Sequence, residues 1–149
     1  MSNYKFKDES FSEISSDIKI AFVVGEFNYD YTSRIYDENV KFLESKWFKS
    51  FETFMVPWAF EIPWMVKKVM ESWDFDLTIA IWVVVRWETI HFDIISNESS
   101  RWLMNLSLDF EAPLINWILT CENFEQVEDR INSNFALSWL KLLKECQKL

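Results

Sequence analysis

Three apolar runs constrain this chain of 149 residues more than anything else in it: IKIAFVV at 18–24, LTIAIWVVV at 77–85 and PLINWIL at 113–119. Each is too continuous for a strand with one wet face, and the longest strict run, Ile79 to Val85, is far shorter than a membrane span. FETFMVP at 51–57 reads as a fourth strand of mixed pattern. Helical segments separate the strands. YTSRIYDENVKFLESK (31–46) carries Ile35, Val40 and Leu43 near one stripe, and IPWMVKKVMES (62–72) has Pro63 where a first turn tolerates it. FDIISNESSRWLMNLSLDF (92–110) and NFEQVEDRINSNFALSWLKLLKEC (123–146) follow, the latter expected to break near Asn132–Asn134. Strands joined by helical crossovers imply a parallel α/β sheet with helices on both faces, and such sheets bind ligands outside the carboxyl ends of their strands.

Half of the residues are apolar and 18% are aromatic, enough for one domain with a real core. The net charge of −9 argues against a nucleic-acid partner, which needs basic surface, but leaves room for a small anion held by one local positive group. The first 13 residues belong to no expected core element, so 1–13 reads as an N-terminal arm and 14–149 as the single domain. MSNYKFKDESFSEISS is polar and of mixed charge, unlike a signal peptide, and nothing predicts a membrane-spanning segment. Cys121 and Cys146 form neither a CxxC nor a metal spacing, and a reduced, cytoplasmic protein is the expectation.

The tryptophans are out of place. Ordinary usage of about 7% glycine predicts roughly ten glycines, whereas the chain has one, Gly25, beside nine tryptophans. Trp47 and Trp73 each follow a helix, where a left-handed residue, usually glycine, is wanted. Trp58 follows Pro57 in a turn, and Trp87 lies in a turn expected to bring backbone N–H groups to a ligand. For strand positions such as Trp82 and Trp117 an aromatic core suffices as explanation; for turns and helix ends it does not. Since the UGA codon is glycine in some bacteria and tryptophan in others, most or all nine are expected to be glycine in the natural protein.

The polar residues that could do chemistry cluster after the strands: Glu26–Asn28, Glu61, Arg86–His91 and Thr120–Asn123. Among them is the single histidine, whose imidazole is the side chain best placed to move protons near neutral pH. With glycine read for tryptophan, VVGEFN (23–28), VPWAFEIP (56–63), VVVRWETIHFD (83–93) and ILTCENFEQVEDR (118–130) together resemble the 6,7-dimethyl-8-ribityllumazine synthase family over about residues 18–140.

That resemblance implies a flavodoxin-like three-layer fold around a four-stranded parallel sheet, no metal and no organic cofactor. It also implies self-assembly as a pentamer or a 60-subunit shell, with the arm adding to a neighbour's sheet and riboflavin synthase as a possible protein partner. The implied small-molecule substrates are 5-amino-6-(D-ribitylamino)uracil and 3,4-dihydroxy-2-butanone 4-phosphate. His91 matches the proton-transfer histidine. Phe27 matches the aromatic that stacks on the pyrimidine, Ala59, Phe60 and Glu61 the segment lining the ribityl pocket, and Val83, Val84 and Val85 the strand whose backbone meets the pyrimidine. Glu88 and Thr89 match the turn offering N–H groups to the phosphate, and Arg130 the arginine that reaches the phosphate from a neighbouring subunit.

Two positions depart from the family pattern. Asn116 stands where many members carry a phenylalanine over the pyrimidine, and Asn134 and Ser138 stand where a loop lysine is common. Two other functions stay in view: a flavodoxin-like module that holds a flavin without catalysis and, made plausible by those departures, a shell-forming homologue without activity. Against the first, GEFNYDYTS is acidic and aromatic where a flavin phosphate loop wants hydroxyls and glycine.

Overall fold

The computed structural model describes residues 11–131, 136–146 and 148. In chain order the elements are β1 (Lys19–Gly25), α1 (Tyr29–Ser45), β2 (Ser50–Val56), α2 (Glu61–Ser72), β3 (Leu77–Val85), α3 (His91–Asp109), β4 (Leu114–Cys121), α4 (Phe124–Ile131) and α5 (Ala136–Cys146). The break expected at 132–134 and most of the arm, residues 1–10, lie outside the described residues. The strands form one wholly parallel sheet in the order β2-β1-β3-β4. This is the flavodoxin-like three-layer arrangement, in which each strand returns through a helix.

The alternation of side chains along each strand divides the core in two. Ile20, Phe22 and Val24 of β1 join Ile79, Ile81 and Val83 of β3 on the face covered by α1, α4 and α5. Ala21 and Val23 join Ala80, Trp82 and Val84 on the other face, under α2 and α3. Every residue of β3 is buried, as its unbroken apolar run requires. The mixed pattern of 51–57 is explained by position, because β2 is an edge strand with most side chains exposed or half-buried. PLINWIL reads as buried, yet β4 is the other edge and buries only Trp117 and Cys121. The stripe of α1 also differs in detail: Asn39, whose Nδ2 donates to the Ile35 carbonyl at 2.6 Å, is buried with Thr32, Ile35 and Leu43, while Val40 is half-buried. Ahead of β1, Phe11 and Ile14 are buried against the α5 face, and Glu13 pairs with Lys144 at 3.2 Å.

Four described residues with side chains have positive φ: Asn28 (60°), Trp47 (73°), Trp73 (57°) and Glu111 (49°). Two of the four are tryptophan. α1 ends in a Schellman turn, with the Phe48 N–H donating to the Leu43 carbonyl at 3.1 Å and the Trp47 N–H to Glu44 at 3.0 Å. Leu43 and Phe48 are both buried, which fixes the exit. The Trp47 and Trp73 indoles are 65% and 74% exposed, so burial does little to offset their backbone strain. A side chain in this region costs about 1–2 kcal/mol, against roughly 0.5–1 kcal/mol for the extra freedom glycine loses on folding. W47G and W73G are therefore each expected to raise stability by about 0.5–1 kcal/mol in urea unfolding, and a loss of stability would refute the strain.

Candidate active site

The carboxyl ends of β1 and β3 open onto the loop after β1, the turn before α3 and the first turn of α3 itself. Phe27 sits in the first of these, anchored by its N–H to the Pro57 carbonyl at 3.3 Å. Asn28 takes the left-handed conformation a short amide side chain tolerates. Rather than capping α1, its Nδ2 crosses to the Val83 carbonyl at 2.9 Å. The indole Nε1 of Trp82 donates to the Phe27 carbonyl at 2.8 Å. Two bonds thus tie the loop after β1 to the centre of β3, leaving the Phe27 ring facing outward from a fixed base.

Around that ring lies a cavity lined by Phe27, Asn28, Val84, Val85 and His91, with Phe92 and Ile95 behind. Indoles nearly fill it. Trp58 stacks on Phe27 with centroids 4.8 Å apart and planes at 22°, and Trp87 meets the same ring edge-on at 5.4 Å. The free volume left is about 20 Å³, room for a water and little else. A larger groove of about 530 Å³ between α2 and α3, flanked by Trp64 and Trp102, includes neither Phe27 nor His91.

His91 is the first residue of α3, exposed, with its backbone N–H directed at Thr89 Oγ1 (3.4 Å). Glu88 and Thr89 are exposed in the turn before it. That first turn is held by Arg86. Its guanidinium forks onto both Asp93 oxygens at 2.9 and 3.0 Å, reaches Glu122 at 2.7 Å after β4, and lies 4.3 Å over the Phe92 ring. The hydrogen bonds from Arg86 hold the Asp93 carboxyl below its usual range. Asp93 is thus the kind of group whose pairing is intact at neutral pH and is lost only as pH falls through that depressed value. Arg86 is fully engaged by these two carboxylates.

Glu61 opens α2, and its Oε2 is buried with no hydrogen-bond partner among the described residues. A buried acceptor left open is costly unless something donates to it. Ala59 beside it is wholly buried and Phe60 is half exposed.

A family model for 6,7-dimethyl-8-ribityllumazine synthase matches residues 17–146. The chain belongs to that family. Proteins named 6,7-dimethyl-8-ribityllumazine synthase from Burkholderia multivorans and Burkholderia vietnamiensis are each 37% identical over 116 residues, 76% of this chain and 67% and 69% of theirs. The like-named protein of Cupriavidus necator is 36% identical over 115 residues, 76% of this chain and 69% of its own.

Of the lumazine synthase positions expected from sequence, Phe27, Val84, Val85 and His91 meet at one cavity; Ala59–Glu61 follow its lining residue Trp58 in the chain but do not line it, and Phe60 borders the groove between α2 and α3 instead. Val83 faces the opposite layer, and only its carbonyl points into the β1 loop. Asn116 and Arg130 are not brought there. Asn116 pairs with Ala80 in mid-strand, five residues short of the β4 end, and its Oδ1 accepts from the Ile118 N–H at 3.1 Å. Arg130 lies on α4, in the layer of α1 and α5 across the sheet from the cavity, and donates to the Gln126 carbonyl at 3.0 Å. It also bonds the buried Cys121 thiol, whose pKa burial raises and Arg130 partly restores. Asn28 fell within the polar cluster after β1 but was given no role from sequence, and Phe92 and Ile95 were not singled out. For Asn28 a signal existed, an asparagine between a buried strand and a helix, where left-handed turns collect.

Proposed function

We infer that the chain is a transferase that condenses 5-amino-6-(D-ribitylamino)uracil with 3,4-dihydroxy-2-butanone 4-phosphate, releasing phosphate and water and forming 6,7-dimethyl-8-ribityllumazine. The observation that carries the reading to this site is that Phe27 and His91, from elements 64 residues apart, border one cavity at the carboxyl edge of the sheet. The Phe27 ring offers a flat π-face for the pyrimidine. The open Oε2 of Glu61 accepts a hydroxyl of the ribityl chain. The phosphate sits over the start of α3, a helix of 19 residues, where Glu88 and Thr89 contribute backbone N–H groups and the helix dipole favours negative charge. His91, at that same helix start, takes a proton as the imine forms and returns one as phosphate leaves.

Arg130 serves a neighbouring subunit's phosphate. The support is its position across the sheet from its own cavity, together with the half-covered β4 edge and the exposed Ile90, Ile94, Met104 and Leu108 near or on α3, which suit burial against another copy. A ring of subunits in heterologous contact, pentameric at least and a 60-subunit shell at most, satisfies this arrangement. The setting is cytoplasmic, and riboflavin synthase is the protein partner that would consume the product. No helix among the described residues is long and apolar enough to cross a membrane.

The test is lumazine formation, followed by its fluorescence, from the two substrates with purified protein carrying an open cavity. Stoichiometric flavin in the purified protein with no lumazine formed would overturn the reading in favour of a flavin-binding module.

A further inference from the structure

We propose that positions 47, 58, 73 and 87 are glycine in the protein as its own cells make it, and that Trp58 and Trp87 here occupy the subsite of the substrate's heterocycle. The second half rests on the lumazine synthase reading; the first does not. Two independent kinds of observation converge. At 47 and 73 the backbone has φ of 73° and 57°, in turns closed by hydrogen bonds to the preceding helix, and the indoles project into solvent. Glycine is the residue such turns select, and the one ring contact among these indoles, Trp73 against Phe110 at 5.9 Å, leaves Trp73 mostly in solvent.

At 58 and 87 the evidence is what the side chains displace. Trp58 covers Phe27 as a planar aromatic ligand would, in nearly parallel stacking at 4.8 Å, and Trp87 closes the edge. Both are about half exposed, so neither serves as core. Ligand cavities for molecules of this size run to about 300–1,000 Å³, against the 20 Å³ left here. Phe27, Asn28 and His91 stand around that space. Removing the two indoles frees the space they take on the face and edge of the Phe27 ring. The same logic does not extend to Trp139, which is wholly buried in the core and fills space that glycine would leave empty.

Peptide mass sequencing of the protein from its native cells, across residues 46–48, 56–64, 72–74 and 82–93, tests the first half. Glycine at all four positions is expected; tryptophan at any of them overturns the assignment there. For the second half, the recombinant chain and its W58G/W87G variant, each checked for an unchanged circular-dichroism spectrum, are titrated with 6,7-dimethyl-8-ribityllumazine. Binding at least tenfold tighter in the variant is expected. Equal binding by two folded proteins overturns the occupancy claim. If W58G/W87G fails to fold, the single variants W58G and W87G decide, each expected to bind more tightly than the parent. Glycine at all four positions together with absent lumazine formation would leave the residue assignment standing and remove the catalytic reading, so the two failures are distinct.

Discussion

Replacing His91 by alanine lowers turnover by about 10²–10⁴-fold, the range for losing a positioned proton-transfer group, while KM for each substrate stays within a few-fold. The measurement belongs in a background with glycine at 58 and 87, where the cavity is open. The asymmetry between kcat and KM follows from the geometry. The imidazole lines the cavity beside Phe27, and in the proposed reading the flat ring, the sugar and the phosphate would each have other groups to bind them: the Phe27 face, Glu61 and the α3 start. His91→Asn, which keeps a polar side chain of similar reach but cannot shuttle protons in this pH range, is expected to be as slow as H91A. A raised KM with unchanged kcat in both variants would make His91 a binding residue only.

Arg130→Ala produces the second large effect and the opposite signature. Removing a guanidinium that bonds an anion forfeits about 1.5–3 kcal/mol per charged hydrogen bond, so KM for the phosphate-bearing substrate rises roughly 10–100-fold with a smaller change in kcat. Because Arg130 and the His91 cavity lie on opposite faces of one sheet, the two variants are also expected to complement each other. Co-assembled in equal amounts and assayed with the phosphate-bearing substrate well below the raised KM, where each variant alone is nearly silent, H91A and R130A subunits regain on the order of a quarter of the parent activity, through sites that take His91 from one subunit and Arg130 from its neighbour. If both groups served the same subunit, the mixture would gain nothing over the separate variants.

The sheet was legible in the sequence because its signal is physical and local. LTIAIWVVV is apolar but for Thr78 because β3 is covered on both faces, and no edge strand here keeps such a run. PLINWIL misled for the converse reason: as the edge strand β4 it leaves most of its apolar side chains only half-buried, and an apolar run does not tell an interior strand from an edge one. The chemistry was legible at the strand ends, where Phe27 and His91 stand in motifs with definite spacing. The role of Asn28 escaped because its task, a bond to the Val83 carbonyl 55 residues away, depends on strand order, which no local pattern records. Val83 was expected to offer its backbone, and its carbonyl is already taken by Asn28 while its side chain packs in the layer of α1, α4 and α5.

The strand order also sets a timetable for synthesis. β1 emerges first and lies inside the sheet between β2 and β3, so its second edge stays open until residue 85 has been made. At about 5–20 residues per second, the interval from the end of β1 to the end of β3 is roughly 3–12 s. Throughout it the backbone of Ile20, Phe22 and Val24 offers a row of unpaired N–H and C=O groups flanked by apolar side chains that the finished fold hides. The nascent chain is therefore most exposed to wrong pairing with a neighbour on the same polysome in that window, and it is there that a holding chaperone has the most to protect.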